Sequence, residues 1–262
     1  VVGGTIDVAA ADAVQDITAY DEIDSNYDIE DNAATLLSTT GVDAVVDSGV
    51  DTVFVTDSSV DADTGVALND LELSLQDVGG TDIEFTVTDT AGAVASELSA
   101  TGDELDEAND VNVVGGTIDV AAADAVQDIT RYDAVDSGYV IEDSAGSVLG
   151  DTGTILDGGV AHVDVNSIAS ANVGVALGGL EDALEAGYSS DISFTVSDDA
   201  SAIAGVLAQG DELNNAEDVD VVGGTIDVAA ADAVQDITAY DDIASGYVIE
   251  DSAGSVLGDT GT

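Results

Sequence analysis

The sequence predicts an α/β repeat protein in which strand-helix-strand-helix modules stack as an α/β solenoid with parallel strands. Three observations lead there. The segment "VVGGTIDVAAADAVQDIT" occurs three times unchanged, beginning at Val1, Val113 and Val221. Short stretches that alternate apolar and polar residues are followed, again and again, by stretches whose apolar residues fall three and four apart. With 262 residues, 45% of them hydrophobic, the chain has the material for a core that an acidic disordered tail lacks.

The elements can be read in order. "VVGGTIDV" (1 to 8) holds the place of a first strand, and Ala10, Val14, Ile17 and Tyr20 after it keep helical spacing. "YDIEDNAATLL" (27 to 37) follows the pattern aromatic, alternating apolar, Asp, small residue, then a short apolar helix. "VDTVFVTD" (50 to 57) alternates like a half-buried strand, and "FTVTDTAGAVASEL" (85 to 98) returns to the aromatic-first pattern. The second unit repeats the series with "YVIEDSAGSVL" (139 to 149), "VAHVDVNS" (160 to 167) and "FTVSDDASAIAGVL" (194 to 207). Between its last two strands, Val173, Leu177, Leu180 and Leu184 step by four, three and four, as on one face of a helix. Strands alternating with helices favour parallel pairing through right-handed crossovers. A module of roughly 55 residues has too little core alone, so stacking buries one against the next.

The long period is 113 − 1 = 112 residues, then 221 − 113 = 108. This divides the chain into unit 1 at 1–112 (half-modules 1–49 and 50–112), unit 2 at 113–220 (half-modules 113–157 and 158–220) and a partial unit at 221–262. Residues 221–262 match 113–154 except where Arg131, Ala134, Val135 and Asp136 become Ala239, Asp242, Ile243 and Ala244. The chain opens on Val1 without an initiator Met, and it reads as a piece of something longer.

Charge restricts the partners. Fifty-six acidic residues face one base, Arg131, for a formal net charge of −55. Such a chain repels itself unless high salt or divalent cations screen it. Nucleic acid and anionic membrane surfaces both recruit Lys and Arg, so neither is an expected partner. There is no Cys, hence no disulfide framework and no thiolate site, and no apolar run approaches the roughly 20 residues of a membrane span.

Catalytic chemistry finds little support. His162, the one histidine, sits in an alternating strand, where a structural role outweighs a general base. Arg131 is Ala19 and Ala239 in the sister copies, so an anion clamp built on it would exist once. Paired carboxylates could hydrolyse glycosides, but with acid everywhere their proximity is uninformative, and the chain has no Trp to stack a sugar. Asp31, Asp89, Asp143 and Asp198 stand where strand passes into helix and read as helix caps. The Gly3-Gly4, Gly115-Gly116 and Gly223-Gly224 pairs mark a bulge or a close backbone approach.

Calcium is the sharper chemical expectation, since it takes six to eight oxygens from Asp-rich loops. "TDSSVDADTG" (56 to 65) offers Asp57, Asp61 and Asp63, and "YDEIDSNYDIED" (20 to 31) offers Asp21, Asp24 and Asp28. Neither has the EF-hand spacing, and a solvated acidic loop is the competing reading of each.

At "YVIEDSAGSVL", "FTVTDTAGAVASEL" and "GGTIDVAAADAVQDI" the chain resembles the tandem repeats of giant acidic bacterial cell-surface and secreted proteins of adhesin, surface-layer and extracellular-matrix type. The resemblance implies an extracellular structural or adhesive role and no catalytic residue. The expectation is therefore a non-enzymatic segment of a fibre, sheath or surface layer. Its partners would be further repeats, in the same chain or head to tail, together with divalent cations. A stalk or ligand-binding region of an adhesin is the alternative, and a carboxylate-based hydrolase a distant third.

Overall fold

The computed structural model describes residues 2–17, 26–46, 49–76, 81–101, 105–134, 136–210, 213–240 and 246–258. Strands and helices alternate: β1 (Val2–Ile6), α1 (Val8–Gln15), β2 (Asn26–Asp31), α2 (Ala33–Leu36), α3 (Thr39–Val45), β3 (Val50–Val55), α4 (Ala62–Gln76), β4 (Asp82–Glu84), β5 (Thr86–Asp89) and α5 (Ala91–Thr101). The series then repeats as β6 (Asp110–Ile118), α6 (Val120–Gln127), β7 (Gly138–Asp143), α7 (Ala145–Gly150), α8 (Thr152–Ile155), β8 (Val160–Val165), α9 (Ala171–Tyr188), β9 (Asp191–Ser193), β10 (Thr195–Asp198) and α10 (Ala200–Leu207). It ends on β11 (Asp218–Ile226), α11 (Val228–Gln235), β12 (Gly246–Ile249) and α12 (Ala253–Gly258).

The protein is α/β with parallel sheets. It divides into two compact units, Val1–Gly116 with Ala122–Tyr139, and Thr117–Ala121 with Val140–Thr262. In the first, β1-β2-β3-β4 pair in sequence order, all parallel, and β5 pairs with β6. In the second, β8 pairs with β9 and β10-β11-β12 run in order, again parallel. The repeat seams at 112/113 and 220/221 fall inside β6 and β11, which begin at Asp110 and Asp218. The identity period marks where the sequence starts to repeat, and the element begins three residues earlier.

Burial follows a period of two along the strands. Tyr27, Ile29, Val53, Ile83, Val87, Val111 and Val113 are buried, whereas Asp28, Thr52, Thr86, Thr88, Asp110 and Asn112 between them are half-buried. The helices therefore cover one face of each sheet and leave the other open. The long helices press close to their strands at glycine. A Cβ on Gly65 would lie 2.6 Å from Val87 Cγ2, and one on Gly174 would lie 2.5 Å from Val196 Cγ2.

One feature was not legible in the periodicity. The strand around Phe85 is split, with β4 pairing back to β3 and β5 pairing forward to β6. Val60 fills the step, its N–H donating to Thr86 O and its O accepting from Thr88 N–H, both at 2.9 Å. The same step recurs at Phe194, where Ala169 lies beside Val196. The glycine pairs do mark bulges: the register shifts between Val2 and Thr5 and between Val222 and Thr225, with φ of +69° at Gly3 and +91° at Gly224.

Candidate functional site

Carboxylates at the strand ends form a ladder. Asp31, Asp89, Asp143 and Asp198 end β2, β5, β7 and β10. In each, one oxygen accepts the N–H of the next residue: Asn32 at 2.8 Å, Thr90 at 2.7 Å, Ser144 at 2.6 Å and Asp199 at 2.9 Å. The other accepts the first N–H of the helix one step back along the chain: Val8 at 3.3 Å, Ala62 at 3.1 Å, Val120 at 3.2 Å and Ala171 at 3.1 Å. The sequence suggested that each Asp caps its own helix. The structure gives that task to the following residue, such as Asn32, Ser144 or Asp199, and turns the Asp into a tie from its strand end to the preceding helix of the same half-module. Parallel pairing is the reason, because it sets the end of one strand beside the start of the helix that follows the adjacent strand. Burial raises the affinity of Asp143 for its proton, but the Ser144 N–H, the Ser147 hydroxyl and the Val120 N–H outweigh it and hold the carboxyl below its ordinary range.

The predicted calcium ligands separate into different tasks. Asp57 belongs to the same ladder, accepting Ala33 N–H at 2.7 Å. Asp61 caps α4 through Thr64 N–H at 2.9 Å, and the Thr64 hydroxyl and N–H together hold it below its ordinary range. Asp63 lies exposed in the first turn of α4. Asp28 is half-buried on β2, opposite Thr5. Asp21 and Asp24 lie outside the described residues. Among the described residues no three acidic or His side chains converge in a way that could hold a metal ion.

The open sheet faces show how so much acid is accommodated. Like charges directly opposite across strands destabilise a sheet. In every described register the residue opposite an acid is uncharged or His162. Thr52 faces Asp82, Thr86 faces Asp110, Thr195 faces Asp218, Ser197 faces Asp220, His162 faces Asp191, and Phe54 lies between Glu30 and Glu84. The result is a surface on which carboxylates alternate with hydroxyls at the inter-strand spacing of about 4.8 Å. His162 is the one base on it, with Nδ1 3.0 Å from Asp191 Oδ1 and Nε2 2.8 Å from Asp164 Oδ1. Burial lowers its affinity for a proton, and the two carboxylates overcome this and raise it.

Two acids were missed in the sequence. Glu72 on α4 is 3% exposed, and Glu181 is its counterpart on α9. Each has a carboxyl oxygen shut away from water with no hydrogen-bond partner. The signal was present, for Glu72 stands four after Leu68 and three before Leu75, and Glu181 four after Leu177 and three before Leu184. Both fall on the apolar stripe.

A groove of ≈ 390 Å³ runs along α11 and α12, walled in part by Val228, Asp232, Asp251 and Ser255. Its Asp251 is a ladder residue, held below the ordinary carboxylate range by Ser252 N–H and, more weakly, by the Ser255 hydroxyl and Val228 N–H. Among the described residues no helix is long and apolar enough to cross a membrane. No family model, no curated protein and no solved structure matches the chain.

Proposed function

We propose that this chain is a structural, non-catalytic repeat protein of the cell exterior, a segment of a fibre, sheath or surface layer in which near-identical acidic modules stack as an α/β solenoid. One observation carries the reading. The segment "GYVIEDSAGSVLG" is present at 138–150 and at 246–258, and its burial differs between them. In the earlier copy Tyr139, Ile141 and Val148 are 1%, 0% and 0% exposed. Their counterparts Tyr247 and Ile249 are only half-buried, and Val256 is 47% exposed. The covered copy is followed by α8 of its own half-module and by β8 and α9 of the next, and α7 packs against both α8 and α9. A surface that is completed by the next module suits a unit that is iterated, whether the next module comes from the same chain or from another.

The acid fits the same role. Its carboxylates are interleaved with hydroxyls on the open faces and tied to backbone N–H groups at the strand ends, and among the described residues they form no cluster that could hold a metal ion. Cations, calcium foremost, then screen the remaining charge and bridge neighbouring surfaces.

Electron microscopy of the purified protein, with matched calcium and chelator samples at constant ionic strength, tests this. The expected result is filaments or sheets that dissolve only when calcium is removed. Isolated rods indifferent to calcium would overturn it.

A further inference from the structure

We propose that Glu72 and Glu181 are proton-operated locks between a long helix and the edge strand after it: uncharged, the carboxyl stays docked in the seam, and charged, it drives the seam apart. The locks lie in the interior of each long repeat and do not depend on any assembly of modules between chains.

The geometry at Glu72 is unusual for an acid. Its side chain is almost wholly buried, Oε2 has no partner, and the nearby polar group that favours the charged form most is the Ile83 backbone N–H of β4. The chain has one Arg and no Lys, and no cationic side chain is among the groups acting on Glu72. Two further acids face it instead, Asp82 from β4 and Glu107 from the turn before β6. Gln76, on the same helix, bonds Glu107 at 3.1 Å. The other elements packed on α4 hold one acid each: Asp89 of β5 is engaged by Ala62 at the far end of the helix, and Glu97 lies on α5. Burial first, then the two like charges, push Glu72 up to about 7.

Glu181 repeats the arrangement with different neighbours. Asp191 of β9 occupies the place of Asp82, and Glu185 and Asp182 approach from its own helix. Asn215 stands where Glu107 does in the first repeat and holds Asp182 at 3.0 Å. Of the remaining elements packed on α9, β10 contributes Asp198, engaged by Ala171, while α10 and α7 contain no titratable side chain. Burial and these acids push Glu181 up to about 7, against the opposing pull of His162. In both long repeats the acid at this helical position has one carboxyl oxygen, Oε2, shut away from water without a hydrogen-bond partner, with Glu72 buried and Glu181 half-buried, and with different residues around them.

The sign of the effect comes from linkage. A carboxyl whose affinity for its proton is higher folded than unfolded stabilises the fold fully below the ordinary value of 4.5, and that contribution is lost as pH rises through about 7. The seam is tight in mild acid and loose in mild base.

The test is a carboxyl-carbon NMR titration of the intact protein labelled at Glu, in constant high salt. Two Glu signals should titrate near pH 7, and Glu72→Gln and Glu181→Gln should each remove one. Hydrogen exchange at Ile83 should accelerate above the midpoint by up to about tenfold per pH unit beyond simple base catalysis, and Glu72→Gln should abolish that excess. The wild-type titration needs no variant to fold. If every Glu titrates in the ordinary range, the proposal fails, and it fails equally if both locks titrate near 7 while exchange at Ile83 shows no excess.

Discussion

The three copies of "VVGGTIDVAAADAVQDIT" are chemically identical, and they are not equally buried. Ile17 is 56% exposed in the first copy, while Ile129 and Ile237 in the second and third are 4% and 5% exposed. Val14 is half-buried where Val126 and Val234 are fully buried. In the third copy α11 packs on α10 of the preceding module. Yet Ala11, Ala123 and Ala231 are all 0% exposed. Part of each helix is thus buried by its own module and part by its neighbour. Sequence identity fixes the first part, and position in the array fixes the second.

The largest effect should come from deleting a side chain that is buried in one copy and exposed in another. Ile129→Ala is expected to cost about 2–5 kcal/mol and Ile17→Ala within about 0.5 kcal/mol, read from urea unfolding followed by circular dichroism in high salt. Equal costs would mean the two copies have the same surroundings in solution. A smaller contrast should appear in the ladder. Asp143→Ala removes the acceptor for Val120 and Ser144 and is expected to cost about 0.5–2 kcal/mol, reduced by solvent screening. The fully exposed Asp251 should show a lesser loss in the same assay.

The ladder also has its own pH signature, opposite to that of Glu72. Asp143 binds its proton less tightly folded than unfolded, so its contribution is present above the ordinary value of 3.8 and is lost as pH falls through the lowered folded one. Unfolding midpoints should therefore drop in strong acid, and Asp143→Asn should weaken that drop. The smallest contrast concerns Gln127, whose Nε2 donates to Tyr139 OH at 2.7 Å where it is part-buried. Gln127→Ala should cost about 1 kcal/mol. Gln235→Ala should cost less, because its bond to Tyr247 OH at 3.0 Å is exposed to water.

Much of the fold was legible from residue spacing. The alternation around Tyr27, Tyr139, Phe85 and Phe194 located strands, and the steps through Leu177, Leu180 and Leu184 located the face of α9 that is buried. The split at Phe85 was not legible, because a break in pairing leaves the period-two pattern of side chains untouched. The acids at strand ends were recognised as caps, but the helix each one serves depends on which strand lies alongside. Glu72 was legible in principle from its place between Leu68 and Leu75, but a single acid on an apolar stripe is lost in a chain with 56 of them.

The sequence by itself determined the alternation of strand and helix, the repeat, the charge and the identity of the capping groups, since these depend on residues near one another in the chain. Tertiary structure decided which helix each aspartate ties, which acids stand opposite hydroxyls, which glutamates are shut away from water, and which of three identical helices is covered. All are relations between residues on different elements, which the packing of helices on parallel strands and the register of those strands bring together.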